Sequence, residues 1–121
     1  MIAEARRRAV GPNVAFLQGN GRDLSPLPSD GFDLALAIDV FPYLVATGLD
    51  VVESNLRECA RVLQPQGRLL LFNYSYRGDD HADDAELASL AVQAGLIVVE
   101  TARPFRLWDG RLFELRRGEV A

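Results

Sequence analysis

The chain of 121 residues is long enough for one domain with a core, and its 49% apolar and 25% charged residues are ordinary for a globular protein. A net charge of −4 gives no reason to expect nucleic acid as a partner. The single cysteine, Cys59, excludes an internal disulfide and a multi-cysteine metal site, and no stretch approaches the roughly 18 apolar residues of a membrane span.

The first predicted elements are a helix over residues 2–10, which ends at Gly11-Pro12, and a short strand over residues 13–18. The helix begins with acidic and basic residues where a signal peptide needs an apolar run, so we expect a cytoplasmic protein without a membrane partner. Glycines on both sides of Asn20 end the strand, and residues 25–31, which include two prolines, form a loop.

Residues 32–40 form a nearly continuous apolar run, which predicts a strand covered on both faces. A helix is expected to begin at Asp50, because Asp50 and Glu53 have the spacing of a capping box. We expect this helix to end at Pro65 and Gly67. The residues that recur at helical spacing and form its predicted buried face are Val52, Leu56, Cys59 and Leu63.

The second half of the chain repeats the alternation of strand and helix. Residues 68–73 predict a second buried strand. Asp83 and Glu86 repeat the capping pattern at the start of a further helix, for which Gly95 is the expected C-terminal cap. Residues 96–101 predict a third strand.

The last predicted element is a β-hairpin. Asp109-Gly110 between apolar runs indicates a tight turn, with arms at residues 105–108 and 111–115. Alternating strands and helices followed by an antiparallel hairpin predict a single three-layer α/β domain over residues 1–121.

The order of these elements and two motifs resemble the class I (Rossmann-like) S-adenosylmethionine-dependent methyltransferases. Residues 19–24, Gly-Asn-Gly-Arg-Asp-Leu, and the later Phe32-Asp33-Leu34 resemble the middle motifs of that family. Residues 58–67 resemble its helix-to-strand signature, with Gln66 in place of the first of two glycines. The resemblance covers essentially the whole chain and implies a Rossmann-like methyltransferase fold that ends in an antiparallel hairpin.

The resemblance also implies that this chain is an N-terminally truncated form of the domain. The family places a glycine-rich turn and an acidic residue for the cofactor before this point. The first six residues resemble the helix that follows the acidic residue. Because the family's first strand lies at the sheet centre, its absence would expose the edge of the strand at residues 32–40. We therefore expect either oligomerisation through this edge or pairing of residues 13–18 with residues 32–40.

One group of candidate site residues follows the first predicted strand. By the resemblance, Asn20, Gly21, Asp23 and Leu24 border the adenine of the cofactor. Asn20 stands where many relatives have Asp, and Asp23 is the remaining acid. The alternative is that Asn20 and Asp23 stabilise a turn through their own backbone.

A second group lies at the end of the strand at residues 32–40. By the resemblance, Ile38, Asp39, Val40 and Tyr43 lie beside the methionine part of the cofactor, because ligands of open α/β sheets bind at the carboxyl ends of strands. The alternative for Asp39 is a solvent-exposed strand end.

The acceptor is expected to approach the end of the next strand, at Asn73, Tyr74 and Tyr76. Methyl transfer can proceed by positioning and desolvation, so a general base is needed only if the acceptor must lose a proton, and no catalytic residue is identified. His81, the only histidine, could serve as that base, but it lies among aspartates and is expected to be solvated.

Two functions remain open. The first is S-adenosylmethionine-dependent methyl transfer to a small-molecule acceptor without a metal, impaired if the glycine-rich loop is absent. The second is a non-catalytic module that acts through self-association or a partner.

Overall fold

Beyond residue 31, four strands and three helices follow one another in this computed structural model, which describes residues 3, 4, 7, 11–105 and 108–118, without the side chains of residues 101–109. In chain order they are β1 (Phe32–Ile38), α1 (Phe41–Thr47), α2 (Leu49–Val62), β2 (Leu63–Phe72), α3 (Asp80–Gln93), β3 (Leu96–Phe105) and β4 (Trp108–Arg117). Residues 3, 4 and 7 are helical, within the helix predicted over residues 2–10, and the rest of that prediction lies outside the described residues.

The strands form one mixed sheet in the order β1-β2-β4-β3. β1 and β2 run parallel and are joined by α1 and α2, whereas β4 runs antiparallel to both β2 and β3. A parallel pair with a helical crossover, followed by an antiparallel hairpin, confirms the predicted α/β fold class. The predicted turn was wrong: β3 continues to Phe105, which pairs with Trp108, so Asp109 and Gly110 lie within β4.

One face of the sheet packs against α2 and α3, and this interface is the core. Its fully buried members include Val52 and Leu56 of α2, Leu87 and Ala91 of α3, and Leu69, Leu71, Phe113 and Leu115 of the sheet. Each buried Leu or Phe side chain contributes about 1.5–3 kcal/mol of transfer free energy. Cys59 packs against this core as predicted, and burial raises the pKa of its thiol to about 11.

The other face of β1 is exposed. The positions of β1 that face the core carry the small residues Ala35 and Ala37. The residues on the exposed face, Leu34, Leu36 and Ile38, are 44%, 54% and 53% exposed. The strand was predicted to be covered on both faces, and within the described part of the chain it is covered on one. Alternate residues of a strand point to opposite faces, and an apolar run does not itself reveal whether each face has a neighbour.

Residues 13–18 do not form the predicted strand. Val14 and Leu17 are exposed, and the segment is irregular. The prediction that it pairs with β1 was therefore wrong. A strand needs a hydrogen-bonding neighbour, and the loop that follows this segment is bound to α2 instead, as described below.

Both helix starts differ from the predicted capping boxes. α2 begins at Leu49 after Gly48, so Asp50 lies in its first turn and makes no capping hydrogen bond. α3 begins at Asp80, and the side chain of Asp79 accepts the capping hydrogen bond from the backbone N–H of Ala82 at 3.0 Å. Asp83, the predicted cap, is buried within the helix. Gly95 follows α3 with φ 85°, in the left-handed conformation expected of a glycine at a helix end.

α2 ends and β2 begins earlier than predicted. Leu63 was expected on the helix and is instead the first, fully buried residue of β2. Gln66 takes φ 70° within this first part of β2. That conformation explains why a glycine suits the position, because only glycine enters the left-handed region without steric cost.

Candidate functional site

Polar side chains meet where β1 and β2 end. Asp39 directly follows β1 and Asn73 directly follows β2, and both have left-handed backbones, with φ 55° and φ 70°. Because parallel neighbours end at the same edge of a sheet, the two side chains touch: Asn73 Nδ2 donates to Asp39 Oδ1 at 2.9 Å. Tyr76 Oη donates to the same oxygen at 2.7 Å.

The Asn73 amide is itself fixed by β4. Its backbone N–H donates to the carbonyl oxygen of Arg111 at 2.7 Å, and the N–H of Arg111 donates to Asn73 Oδ1 at 2.9 Å. An amide whose oxygen accepts from a backbone N–H must direct its NH₂ group to the other side. Asn73 therefore holds the Asp39 carboxylate in place.

These hydrogen bonds set the charge of the site. The Asn73 amide and then the Tyr76 hydroxyl hold the pKa of Asp39 below its ordinary value of 3.8. The bond to Asp39, with some desolvation, raises the pKa of Tyr76 to about 12. At neutral pH the site therefore contains one carboxylate and a protonated phenol.

Apolar and aromatic side chains surround this carboxylate. Ile38 and Val40 are 53% and 45% exposed, and Tyr43 of α1 and Tyr76 are 68% and 62% exposed. The rings of Tyr43 and Tyr76 stand edge to face, with centroids 6.3 Å apart and an angle of 88° between their planes. Four predicted site residues, Ile38, Asp39, Val40 and Tyr43, thus lie together beside Asn73 and Tyr76.

The segment that carries Tyr76 is anchored to α3. Tyr74 is buried, and its hydroxyl donates to Glu86 Oε2 at 2.6 Å. Arg77 forms ion pairs with the buried Asp83 and with Glu86, and Ser75 donates to Asp83 at 2.7 Å. Sequence patterns missed this cluster, because Asp83 was interpreted as a helix cap and its partners come from the preceding loop.

The other predicted group forms a turn. Asn20 Oδ1 accepts from the backbone N–H groups of Arg22 and Asp23 at 2.8 and 3.0 Å, and Asn20 Nδ2 donates to Asp23 Oδ1 at 3.1 Å. The backbone N–H of Ser25, followed by the Asn20 amide, lowers the pKa of Asp23. The turn interpretation of Asn20 and Asp23 is therefore confirmed, and their role toward a cofactor stays a prediction.

This turn is held against α2. The backbone N–H of Leu24 donates to Glu58 Oε1 at 2.8 Å, and Asn55 Nδ2 donates to the carbonyl oxygen of Gly21 at 3.3 Å. Arg61 pairs with Glu58 at 2.6 Å and also donates to the carbonyl oxygens of Leu24 and Leu27. The acid and the arginine of the family signature thus fix the loop, a role indicated in the sequence only by their i, i+3 spacing.

A cavity of about 100 Å³ lies beside the turn. Its lining includes the apolar residues Leu17, Leu24, Pro26 and Leu27, and the carboxylate-bearing Asp23. Apolar walls with one anionic acceptor match the chemistry of a planar ring that carries an amino group. The residues present therefore fit the adenine end of an adenosyl cofactor, and Asp39 fits its cationic end.

The two predicted groups contact different elements. The residues from Asn20 to Leu24 lie along α2, whereas those from Ile38 to Tyr43 lie at the ends of β1 and β2.

No helix among the described residues is long and apolar enough to cross a membrane. Within the same part of the chain, no three His, Cys, Asp or Glu side chains form a group that could hold a metal ion.

The sequence profile of the methyltransferase domain family matches residues 1–71, which is more than half of the chain. This match includes both groups of predicted site residues. No curated protein sequence matches the chain.

Solved structures share the fold. A chain of a Haloferax volcanii complex that contains the Trm112 methyltransferase activator superposes with a TM-score of 0.72 at 21% identity, covering 98% of this chain and 68% of its own. An S-adenosylmethionine-dependent methyltransferase from Methanosarcina mazei has a TM-score of 0.66 at 16% identity, with 98% and 76% covered. The 1,6-didemethyltoxoflavin-N1-methyltransferase of Burkholderia thailandensis, solved with S-adenosylhomocysteine, has a TM-score of 0.67 at 21% identity, with 97% and 56% covered.

At these identities the structural likeness shows the fold alone, and a [4+2]-cyclase, SpnF, shares that fold with a TM-score of 0.66 at 15% identity. The match to the family's sequence profile shows family membership, which the fold alone does not show. The chain belongs to the methyltransferase domain family, whose class I members use S-adenosylmethionine as cofactor.

Proposed function

We propose that this chain binds S-adenosylmethionine and contributes to methyl transfer to a small-molecule acceptor. The family match over residues 1–71 carries the proposal, because it includes both the turn beside α2 and the end of β1. The cofactor supplies a methyl group on a positively charged sulfonium sulfur. What remains for the protein is to bind, orient and desolvate the reactants.

The adenine end of the cofactor is assigned to the turn beside α2. Leu17, Leu24 and Leu27 line the small cavity there, which suits a flat aromatic ring. Asp23 is one of the lining residues and is ionised at neutral pH, so it can accept a hydrogen bond from an amino group. The clamp of Glu58 and Arg61 keeps this loop in position.

The cationic end of the cofactor is assigned to Asp39. Its two hydrogen bonds both reach Oδ1, so Oδ2 faces no donor among the described side chains. A carboxylate held ionised beside the exposed Ile38 and Val40 complements a ligand that is positively charged and partly apolar. The sulfonium and the ammonium of the cofactor both have that charge.

Calorimetric titration of the full chain with S-adenosylmethionine tests the proposal. We expect binding at micromolar strength, weakened about ten-fold by Asp39→Asn, which corresponds to about 1.4 kcal/mol. The new amide oxygen still accepts from Asn73 and Tyr76, so the substitution removes the charge without removing the geometry. Asp33→Asn is the matched control, because Asp33 is an exposed acid near the other end of β1.

S-adenosylhomocysteine separates the two cationic groups. It has the ammonium but no sulfonium charge. If Asp39→Asn weakens the binding of S-adenosylmethionine alone, Asp39 is assigned to the sulfonium. If it weakens the binding of both compounds equally, Asp39 is assigned to the ammonium. The absence of measurable heat at millimolar cofactor would contradict the proposal.

A second candidate function is self-association through β1. Among the described strands β1 has a neighbour on one side only, and its row of Leu34, Leu36 and Ile38 is exposed. Apolar edge strands promote pairing with another chain, which favours this function. The occupant we propose is a second copy of the same strand, related by two-fold symmetry.

A further inference from the structure

We infer that Tyr43 and Tyr76 form the wall against which the methyl acceptor binds, and that this acceptor is a planar aromatic compound bearing an amine. The inference rests on the proposed function and adds to it a substrate class and two specificity-determining residues.

The shape of the surface comes from the two rings. They stand perpendicular to each other, with an angle of 88° between their planes, and so form the two walls of a corner. An aromatic guest can stack on the first ring and contact the second edge-on, and both arrangements are favoured by the ring quadrupole. More than half of each tyrosine is exposed, so the corner between them is accessible.

The charge of the surface comes from Asp39. Tyr76 donates its hydroxyl proton to Asp39 Oδ1, so its oxygen can still accept a hydrogen bond. The NH₂ group of Asn73 is likewise directed to Asp39. The base of the corner thus presents the Tyr76 oxygen as an acceptor for the N–H group of an uncharged amine, while the Asp39 carboxylate, whose Oδ2 is assigned to the cofactor, disfavours a carboxylate or phosphate.

Nearby arginines do not reverse this charge. Arg77 forms ion pairs with Asp83 and Glu86. Arg111 donates to Asp84 at 2.8 Å and lies over the ring of Phe113, 4.9 Å from its centroid. Each guanidinium is therefore balanced by acids of α3, and the carboxylate of Asp39 dominates the corner.

The Tyr76 side of the wall is preorganised. Tyr74 and Arg77, on either side of Tyr76 in sequence, are tied to α3, and Tyr76 is tied to Asp39. A side chain that is fixed before binding loses little freedom when a ligand arrives. A specific aromatic guest can therefore bind to this open surface.

Three compounds with similar skeletons test the inference, with affinity measured by ligand-observed NMR on the full chain. Phenethylamine has a planar ring and an ammonium, 2-cyclohexylethylamine keeps the ammonium without the planar ring, and 3-phenylpropionate keeps the ring with a carboxylate. We expect phenethylamine to bind at least about three-fold more tightly than either of the others. Equal affinity for the two amines would overturn the aromatic wall, and equal affinity for phenethylamine and the acid would overturn the charge selection.

Variants locate the binding site. Tyr43→Leu should weaken phenethylamine binding about three-fold or more, while Phe32→Leu, an exposed aromatic at the opposite end of β1, should leave it unchanged. Asp39→Asn should remove the preference for the amine over the acid and keep the preference for the planar ring. An equal effect of the Tyr43 and Phe32 substitutions would overturn the assignment.

The cofactor titration separates this inference from the function on which it rests. Cofactor binding without amine selectivity overturns the inference alone. Amine selectivity without cofactor binding overturns the proposed function and, with it, the acceptor role of the wall.

Discussion

Gln66 occupies a backbone conformation that disfavours its own side chain. With φ 70°, it lies in the left-handed region, which costs a non-glycine residue about 1–2 kcal/mol. Gln66→Gly should relieve this cost, offset by about 0.5–1 kcal/mol of additional chain entropy in the unfolded state. We expect a net gain of about 0.5–1 kcal/mol in the free energy of unfolding, measured by urea denaturation.

Gln64→Gly is the matched control for this substitution. Gln64 is an exposed glutamine in the same strand, two residues earlier, and its φ is not positive. At this position glycine should lower the free energy of unfolding by about 0.5–1 kcal/mol, because it adds chain entropy in the unfolded state without relieving strain in the folded state. Loss of stability in both variants would contradict the strain at Gln66.

For single residues, the sequence predicted which positions belong to the site better than it predicted their hydrogen-bond partners. The end of an apolar strand run identified Asp39, and the resemblance identified Gln66 as a glycine position. The bonds that fix Asp39 come from Asn73 and Tyr76, which lie 34 and 37 residues later. Such contacts depend on the parallel pairing of β1 with β2, which local sequence patterns do not encode.

At the scale of elements, the most consequential feature is the clamp between α2 and the turn that precedes β1. The Arg61 guanidinium holds the pKa of Glu58 below its ordinary value of 4.5, with the backbone N–H of Leu24 acting in the same direction. A carboxyl with a lowered folded-state pKa stabilises the fold above its unfolded pKa, and this contribution disappears as pH falls through the folded pKa. The clamp should therefore be present at neutral pH and lost in acid.

Glu58→Gln measures this contribution. We expect it to lower the free energy of unfolding by about 1–2 kcal/mol at neutral pH, because charged hydrogen bonds are lost. The difference from the unsubstituted chain should shrink as pH falls through the lowered pKa of Glu58, where this carboxyl itself becomes protonated. Urea denaturation over a pH series provides the comparison.

Glu53→Gln on the same helix is the control. Glu53 pairs with Arg57, whose side chain is 57% exposed, and such surface pairs contribute about 0.3–0.5 kcal/mol. A Glu58→Gln effect that stays constant down to strongly acidic pH would contradict the clamp.

The elements themselves were largely predictable, and their ends were not. Apolar runs and periodicity predicted α2, α3, β1, β2 and the first part of β3, since burial requires that spacing, whereas α1 was not predicted. Asp50 and Asp83 have the sequence signature of caps, but Gly48 and Asp79 occupy the cap positions. Asp83 is instead buried beside Arg77, a contact that only the tertiary fold creates.

For the whole molecule, the fold class followed from the alternation of strands and helices and from the terminal hairpin. The neighbours of β1 did not follow from the sequence. Its apolar run looked like a doubly covered strand, yet Leu34, Leu36 and Ile38 are exposed and residues 13–18 do not pair with it. An apolar run shows that a strand gains by burial on both faces, and leaves open what buries it.

The exposed edge and face of β1 predict self-association in solution. Light scattering coupled to size exclusion should give the mass of a dimer, which rises with protein concentration. Leu36→Lys should shift the equilibrium to the monomer, because a charge in the middle of an edge strand opposes pairing with a second strand. Val92→Lys is the control, since Val92 is also an exposed apolar residue, on α3, and should leave the mass unchanged. A monomeric mass at every concentration, before any substitution, would contradict pairing through β1 and leave methyl transfer as the remaining candidate.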